Sequence, residues 1–280
     1  MTIEDHLLKG DNVDHQHRTT KTSGKFATGQ PDAVLVHYTA GRDALSSVKT
    51  LLNPKVKASA HLVIGRDGKI YQLAPFDEIT WHAGASSWQG RNGMNKYCIG
   101  IEIDNAGRLD KQGEEYLSWF GKAYPPGEVF EGVHRNERKP TYWHRYTEQQ
   151  IELVEELCEL FLETYPITQI LGHEEVSPGR KSDPGPAFPL DVLRDHLLNA
   201  DRHEESDPGE VLIPREKNSE TRGIITASKL NIREKPGIES LTVADPLGKG
   251  TLVKILKEEN GWYKVQAEIE GWVSGQWIST

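Results

Sequence analysis

Three residues within a short span carry the clearest chemistry in this chain: His173, Lys181 and Asp183, all in LGHEEVSPGRKSDPG at 171–185. Imidazole and carboxylate are ordinary zinc ligands, and a hydrolytic zinc site takes three protein ligands and keeps a fourth position for water or substrate. Pro178, Gly179, Pro184 and Gly185 forbid a continuous helix, so the segment reads as a shaped loop, where a His and an Asp ten positions apart can turn toward one ion. That is half of a metal site. A second imidazole has to come from elsewhere in the chain.

Several histidines are available. His15 and His17 form an H-x-H pair, but residues 1–31 lack either hydrophobic period and read as a polar arm or loop, in which both are solvated. His37 ends AVLVH (33–37), an almost wholly apolar run expected of a strand buried on both faces, and Tyr38-Thr39-Ala40-Gly41 opens a loop after it. A lone His beside a strand is more often a hydrogen-bonded side chain than a ligand, yet a site short of one imidazole favours ligation here. His61 shares a face with Val63 and Gly65 in a hairpin; it looks toward the site or fills the sheet edge. His82 sits with Trp81 and Trp88 on the Gly- and Ser-rich loop WHAGASSWQGRNG, either a ligand surface or a hydrophobic anchor. Glu102 lies within YCIGIEIDNAG, on the face of a strand opposite Ile99, Ile101 and Ile103. A carboxylate there is costly unless it is paired, bound to metal or kept for proton transfer.

The elements that must position these groups follow from periodicity. DALSSVKTLLN (43–53) has helical spacing with Pro54 behind it, and 58–75 gives two alternating runs around Arg66-Asp67-Gly68, a β-hairpin. Thr147 caps a helix running to Tyr165, 167–173 is a last short strand, and 188–200 closes the domain as an amphipathic helix. Residues 108–146 read as an irregular insertion of mixed charge, with His134, Trp143 and His144 in solvated loops. Residues 200–222 are charged and aperiodic, a linker. From 223 onward, short alternating runs separated by Gly, Pro and Asn-Gly indicate a small β-barrel. The expected fold is α+β: a central mixed sheet flanked by helices over 1–199, plus an all-β barrel over 223–280.

The 280 residues suffice for one large and one small core, and a net charge of −9 argues against nucleic acid or an anionic membrane as partner. Cys98 and Cys158 sit among apolar residues and read as buried reduced thiols. The N-terminus has no basic n-region or apolar h-region, and no run is long enough to span a bilayer. The expectation is a soluble protein made in the cytoplasm, monomeric, acting there or after release by lysis or non-standard export.

LVHYTAG, SAHLVIGRDGKIYQL, WHAG, CIGIEIDN and LGHEEVSPGRKSDPG, in this order, resemble the zinc-dependent N-acetylmuramoyl-L-alanine amidases of the phage lysozyme and peptidoglycan recognition protein superfamily. The resemblance implies one Zn2+ per chain on His37, His173 and Asp183, with Glu102 and Lys181 as catalytic residues. It implies peptidoglycan or muropeptides as substrate, cut between the lactyl group of N-acetylmuramic acid and L-Ala. Tyr38, Thr39, His61, Trp81, His82 and Asn105 are then expected to contact that substrate. Some members carry a Tyr before the hairpin His where this chain has Ala60, so a mechanism using that Tyr does not transfer. A non-catalytic muropeptide-binding protein is the alternative, but such a protein would lack a ligand, and none of the five residues is missing. LNIREKPG, GKGTLVKIL, NGWYKV and GWVSGQWI resemble bacterial Src-homology-3-like domains, placing Trp262, Tyr263, Trp272 and Trp277 in a barrel core or along a shallow wall-peptide site.

Overall fold

The computed structural model describes residues 1–198, 222–224, 229–235, 242–248, 251–259 and 262–267. The chain divides into two compact units, Met1–Ser206 and Asp207–Thr280.

In the first unit the apolar run becomes the strand Ala33–Tyr38, second in a six-stranded mixed sheet whose order is Gln169–Gly172, Ala33–Tyr38, Cys98–Ile103, Leu62–Ile64, Ile70–Gln72 and Val13–Asp14. The first four run parallel, and the Asp-Gly turn makes Leu62–Ile64 and Ile70–Gln72 antiparallel. Side-chain alternation divides the two central strands between layers. Val34, Val36, Ile99, Ile101 and Ile103 pack with Val154, Leu157, Cys158 and Phe161 of the helix Glu148–Thr164, and with Leu190 and Leu193 of Leu190–Leu198. On the other face Ala33, Leu35 and Cys98 pack with Ala83, Met94, Leu171 and Val176. Continuing that second face along each strand leads to His37 and Glu102, opposite each other in register. One face of the sheet is spent on packing, and the other ends in polar chemistry at the C-terminal ends of parallel strands, where open α/β sheets place their sites.

Caps fix the helices in register with this core. Thr147 accepts from the Gln150 N–H while the Gln150 side chain returns to the Thr147 N–H, and Asp43 and Ser46 do the same for Ala44–Leu52. Both cysteines are free and buried, where burial pushes their thiols upward.

Two stretches differ from the expectation. Residues 1–31 are not an arm. Thr2–Glu4 and Leu7–Lys9 pair as a hairpin, Val13–Asp14 adds the outermost strand of the main sheet, and Thr22–Lys25 pairs with Glu78–Thr80. Leu8 is fully buried in the main core, its N–H donating to the Gln72 side chain. Strands of two to four residues are too short for alternation to register, so tertiary partners decide them. Residues 108–146 are likewise ordered, as an antiparallel five-stranded sheet in the order Ala123–Tyr124, Glu115–Leu117, Arg108–Gln112, Pro140–His144 and Val129–Val133. Its own core gathers Ala106, Leu109, Tyr124 and Val129, and His134, Trp143 and His144 are buried rather than solvated.

The second unit contains a three-stranded sheet of Arg222–Ile224, Leu252–Glu259 and Trp262–Ala267, and a pair formed by Lys229–Arg233 and Thr242–Gly248. Leu247 and Val253 centre its described core, and Tyr263 is exposed rather than part of it. Trp272, Trp277 and nearly all of the expected linker lie outside the described residues. Among the described residues no helix is long and apolar enough to cross a membrane.

Candidate metal centre

His37 is the penultimate residue of its strand, and His173 begins the single helical turn His173–Val176 directly after the neighbouring strand Gln169–Gly172. Asp183 comes back to them on the loop that follows. Its Oδ2 lies 2.8 Å from His37 Nδ1 and 2.9 Å from His173 Nδ1, and the two Nδ1 atoms are 2.9 Å apart. All three side chains are buried, and among the described residues this is the group of three or more possible ligands that could hold one ion.

The backs of the two imidazoles assign the protons. His173 Nε2 is 3.0 Å from the Ala83 carbonyl, which can only accept, and 3.3 Å from Arg180 Nη2, which can only donate; the shorter contact places the hydrogen on Nε2 and leaves Nδ1 a bare lone pair. His82 Nε2 faces the Cys98 carbonyl at 3.2 Å by the same logic, which leaves its Nδ1 as an acceptor 3.0 Å from His37 Nε2. His37 Nε2–H therefore donates to His82, and His37 Nδ1 is bare as well. Two nitrogen lone pairs and a carboxylate oxygen converge with no proton assigned between them, a donor set that fits a cation. Its make-up of two imidazoles and one carboxylate, all buried, is that of a catalytic zinc site. Burial, then the neighbouring His173, lowers His37 to about 4, which keeps it neutral as a ligand must be. Burial acts to raise the Asp183 carboxyl, but the imidazoles of His173 and His37 beside it outweigh that and hold it well below the usual range.

The ligand loop is held from several sides. Glu174 N–H donates to the Asp183 carbonyl, Gly185 N–H donates to Glu174 Oε2, and Tyr146 Oη donates to the Pro184 carbonyl. Glu174 in turn is clamped by His134 at 2.7 Å and Arg135 at 2.8 Å, both from the 108–146 insertion. Tyr38 Oη and Ser182 Oγ are 2.7 Å apart. Gly185 takes a φ of 73°, and a Cβ there would lie 2.8 Å from the Trp143 ring, so the turn at the end of the loop requires glycine.

A cleft of about 400 Å³ opens on the cluster and is lined, among others, by Tyr38, Thr39, Ala40, Glu102, Arg180 and Lys181. Glu102 is partly buried there. Burial, reinforced by the Asp183 charge and opposed by Lys181, pushes its carboxyl up to about 8, toward the range useful for proton transfer near neutral pH.

The remaining sequence-stretch candidates separate. His82 borders the cleft but its ring is engaged behind His37, against Gly100, where a Cβ would approach it to 2.5 Å. His61 is not among the cleft residues. Its Nδ1 accepts from the Gly100 N–H and Thr80 Oγ1, its Nε2–H donates to the Glu78 carbonyl, and burial lowers it to about 4. Trp81 Nε1 donates to Ser23 Oγ, and buried Asn105 braces the backbone of His144 and Gly107, both outside the cleft lining. His15 donates to the Leu8 carbonyl and His17 meets Asp14, away from the cluster. Sequence reasoning missed Arg180, whose Nη2 donates to the carbonyls of Ala83 and Ala85 and to Ser177 Oγ. Its partners are mostly backbone carbonyls, which leave no trace in a sequence.

A mixed sheet thus carries, at the C-terminal ends of its parallel strands, a buried two-imidazole, one-carboxylate cluster that could hold a metal ion. Residues 27–186 match the family described as N-acetylmuramoyl-L-alanine amidase, and the chain belongs to that family; residues 228–279 match the bacterial SH3 domain. It is 30% identical over 190 residues to the N-acetylmuramoyl-L-alanine amidase AmiD of Escherichia coli K12, covering 65% of this chain and 58% of that protein. It is 31% identical over 135 residues to the 1,6-anhydro-N-acetylmuramyl-L-alanine amidase AmpD of the same strain, covering 48% and 55%. The chain thus spans little more than half the length of these relatives. Among solved structures, a selenomethionine derivative of AmpD overlaps with a TM-score of 0.47 at 24% identity, covering 70% of this chain and 99% of that one.

Proposed function

We propose that this chain is a zinc-dependent N-acetylmuramoyl-L-alanine amidase, hydrolysing the amide between the lactyl group of N-acetylmuramic acid and L-Ala of peptidoglycan stem peptides. The observation that carries the reading is the convergence of His37 Nδ1, His173 Nδ1 and Asp183 Oδ2 beside a cleft that also holds Glu102 and Lys181. His37, His173 and Asp183 would hold one zinc ion. When bound, zinc polarises a carbonyl and brings the pKa of a water toward ~7.

Glu102 takes the proton released as water adds to the scissile carbonyl and returns it to the departing L-Ala amine, two transfers for which a carboxyl with a raised pKa is suited. Lys181, exposed in the cleft, offers its ammonium to the oxyanion of the tetrahedral intermediate. Tyr38 holds Ser182, between Lys181 and Asp183, and so sets both groups. His82 sets the tautomer of His37. In this reading residues 1–199 form the catalytic domain, 200–222 a linker and 223–280 the Src-homology-3-like barrel, and the chain acts as a monomer on peptidoglycan or its soluble fragments.

Metal analysis of the purified chain, coupled to mass spectrometry of a muramyl-peptide digest, tests the proposal. The expected result is about one zinc per chain and free peptides beginning with L-Ala, with Glu102→Gln keeping the metal and releasing none. Zinc bound by a wild type that leaves every peptide on its sugar would sink the amidase reading.

A further inference from the structure

The 108–146 insertion touches one residue of the cleft lining, Ala40. The turn Ser118–Gly121, between the strands Glu115–Leu117 and Ala123–Tyr124, carries Trp119, whose side chain is 74% exposed, more than any other large apolar residue among those described. Its indole Nε1–H donates to the Ala40 carbonyl at 2.7 Å, and Ala40 lines the cleft. Ala40 takes a φ of 49°, an uncommon conformation for a residue with a Cβ. The next residues are joined too, with the Arg42 guanidinium 5.2 Å from the centre of the Phe120 ring. The insertion thus grips the loop that borders the site and, in doing so, sets an indole against a cleft-lining residue. Its one polar atom is satisfied, and its ring is left to solvent.

An exposed tryptophan held in a fixed orientation presents a large apolar surface at little entropic cost. What it meets follows from the charge of the cleft. The lining contributed by residues 180–183 is ionic, with Arg180, Lys181 and Asp183, whereas the lining contributed by 38–58 carries no ionised side chain and is joined to Trp119 through Ala40. A saccharide ring is uncharged and exposes an apolar face of C–H groups. We propose that Trp119 is a stacking platform for a sugar ring on the muramic side of the scissile bond, so that the insertion selects substrates by their glycan. The inference rests on the amidase reading for the identity of the sugar.

The test compares two substrates on the full chain: a disaccharide-tetrapeptide, and the same peptide acylated by lactate, which keeps the scissile amide but has no ring. Trp119→Ala is expected to raise KM about threefold to tenfold for the first substrate, the size of one lost aromatic contact, with kcat little changed and the second substrate unaffected. Trp119→Phe keeps a ring but loses the bond to Ala40, and should retain most of the sugar preference. Equal losses on both substrates would reduce Trp119 to a tether for the 39–42 loop and overturn the platform, as would no loss on either. Calorimetric titration with the peptide-free disaccharide separates the two readings. Binding that Trp119→Ala abolishes, in a wild type that cuts neither substrate, keeps the platform and fails the amidase. Cleavage of both substrates without Trp119-dependent disaccharide binding keeps the amidase and fails the platform.

Discussion

The site is assembled from two halves that are made rigid in different ways. His37 and Glu102 project from adjacent parallel strands whose other faces are locked by Val34, Val36, Ile101 and Ile103 against the helix Glu148–Thr164. His173, Lys181 and Asp183 come from a turn and a loop whose apolar anchor is Val176. That half is held by Glu174, Tyr38 and Tyr146 through hydrogen bonds, and by His134 and Arg135 from the insertion. Packing on the strand side is forgiving of chemistry and demanding of volume. A buried polar network is the reverse, because removing one member leaves the others buried and unpaired. The loop half should therefore be the one through which single substitutions detach the metal.

The largest expected effect lies at the junction of the halves. Asp183→Ala removes the oxygen shared by both imidazoles, and we expect zinc content to collapse and turnover to fall by about a thousandfold or more, several kcal/mol of transition-state stabilisation. Turnover near wild type would mean that the cluster is structural. Next comes Glu174→Ala. It strands His134 Nε2 and the Gly185 N–H and leaves Arg135 with only Glu175 and Asp191, and a broken buried pair costs about 3–5 kcal/mol, readable in chemical denaturation. Ile101→Ala on the strand side should cost a comparable ~2–5 kcal/mol through its cavity. The comparison is sharpened by chelator competition on the folded protein. Glu174→Ala should loosen zinc while Ile101→Ala leaves its affinity near wild type, and equal affinities in the two variants would erase the distinction between the halves.

His82→Ala is smaller again. It deprives His37 Nε2–H of its acceptor, and loss of such an outer partner typically lowers metal affinity about 10- to 100-fold. The same competition assay reads it. An unchanged affinity would mean that the strand alone orients His37.

Much of the strand half was legible because its signals are local: the apolar run at 33–37, the hairpin turn at Asp67-Gly68 and the alternation of Ile99, Ile101 and Ile103 are each contained in a few residues. The Thr147 cap and the stripe of the following helix were readable for the same reason. The insertion was not. Its strands pair across turns of varied length and bury His134 and Trp143 against Glu174 and Gly185, distant partners that a sequence does not mark. Residue types alone raised the chemistry of His37, Glu102, His173 and Asp183, and the family resemblance added the role of Lys181. Residue types could not distinguish cleft-facing Tyr38 and Thr39 from His61, Trp81 and Asn105, whose partners are Gly100, Ser23 and His144. Which way a side chain turns depends on backbone groups brought close by the fold.

The subtlest prediction concerns Glu102 in the metal-free protein. Its folded carboxyl titrates near 8 against an ordinary 4.5, because burial and the Asp183 charge both oppose ionisation. Between those two values the folded state binds more protons than the unfolded state, so this group's contribution to stability falls as pH rises from 4.5 to 8 and is level outside that window. Glu102→Gln has no such titration. Thermal melting of the two metal-free proteins at pH 5 and pH 8 should show Glu102→Gln gaining on wild type at the higher pH. A constant difference between them would mean that the cleft solvates Glu102 as freely as water does. The strand half would then hold its carboxylate in position without tuning it, and the rate would have to be set from the loop half.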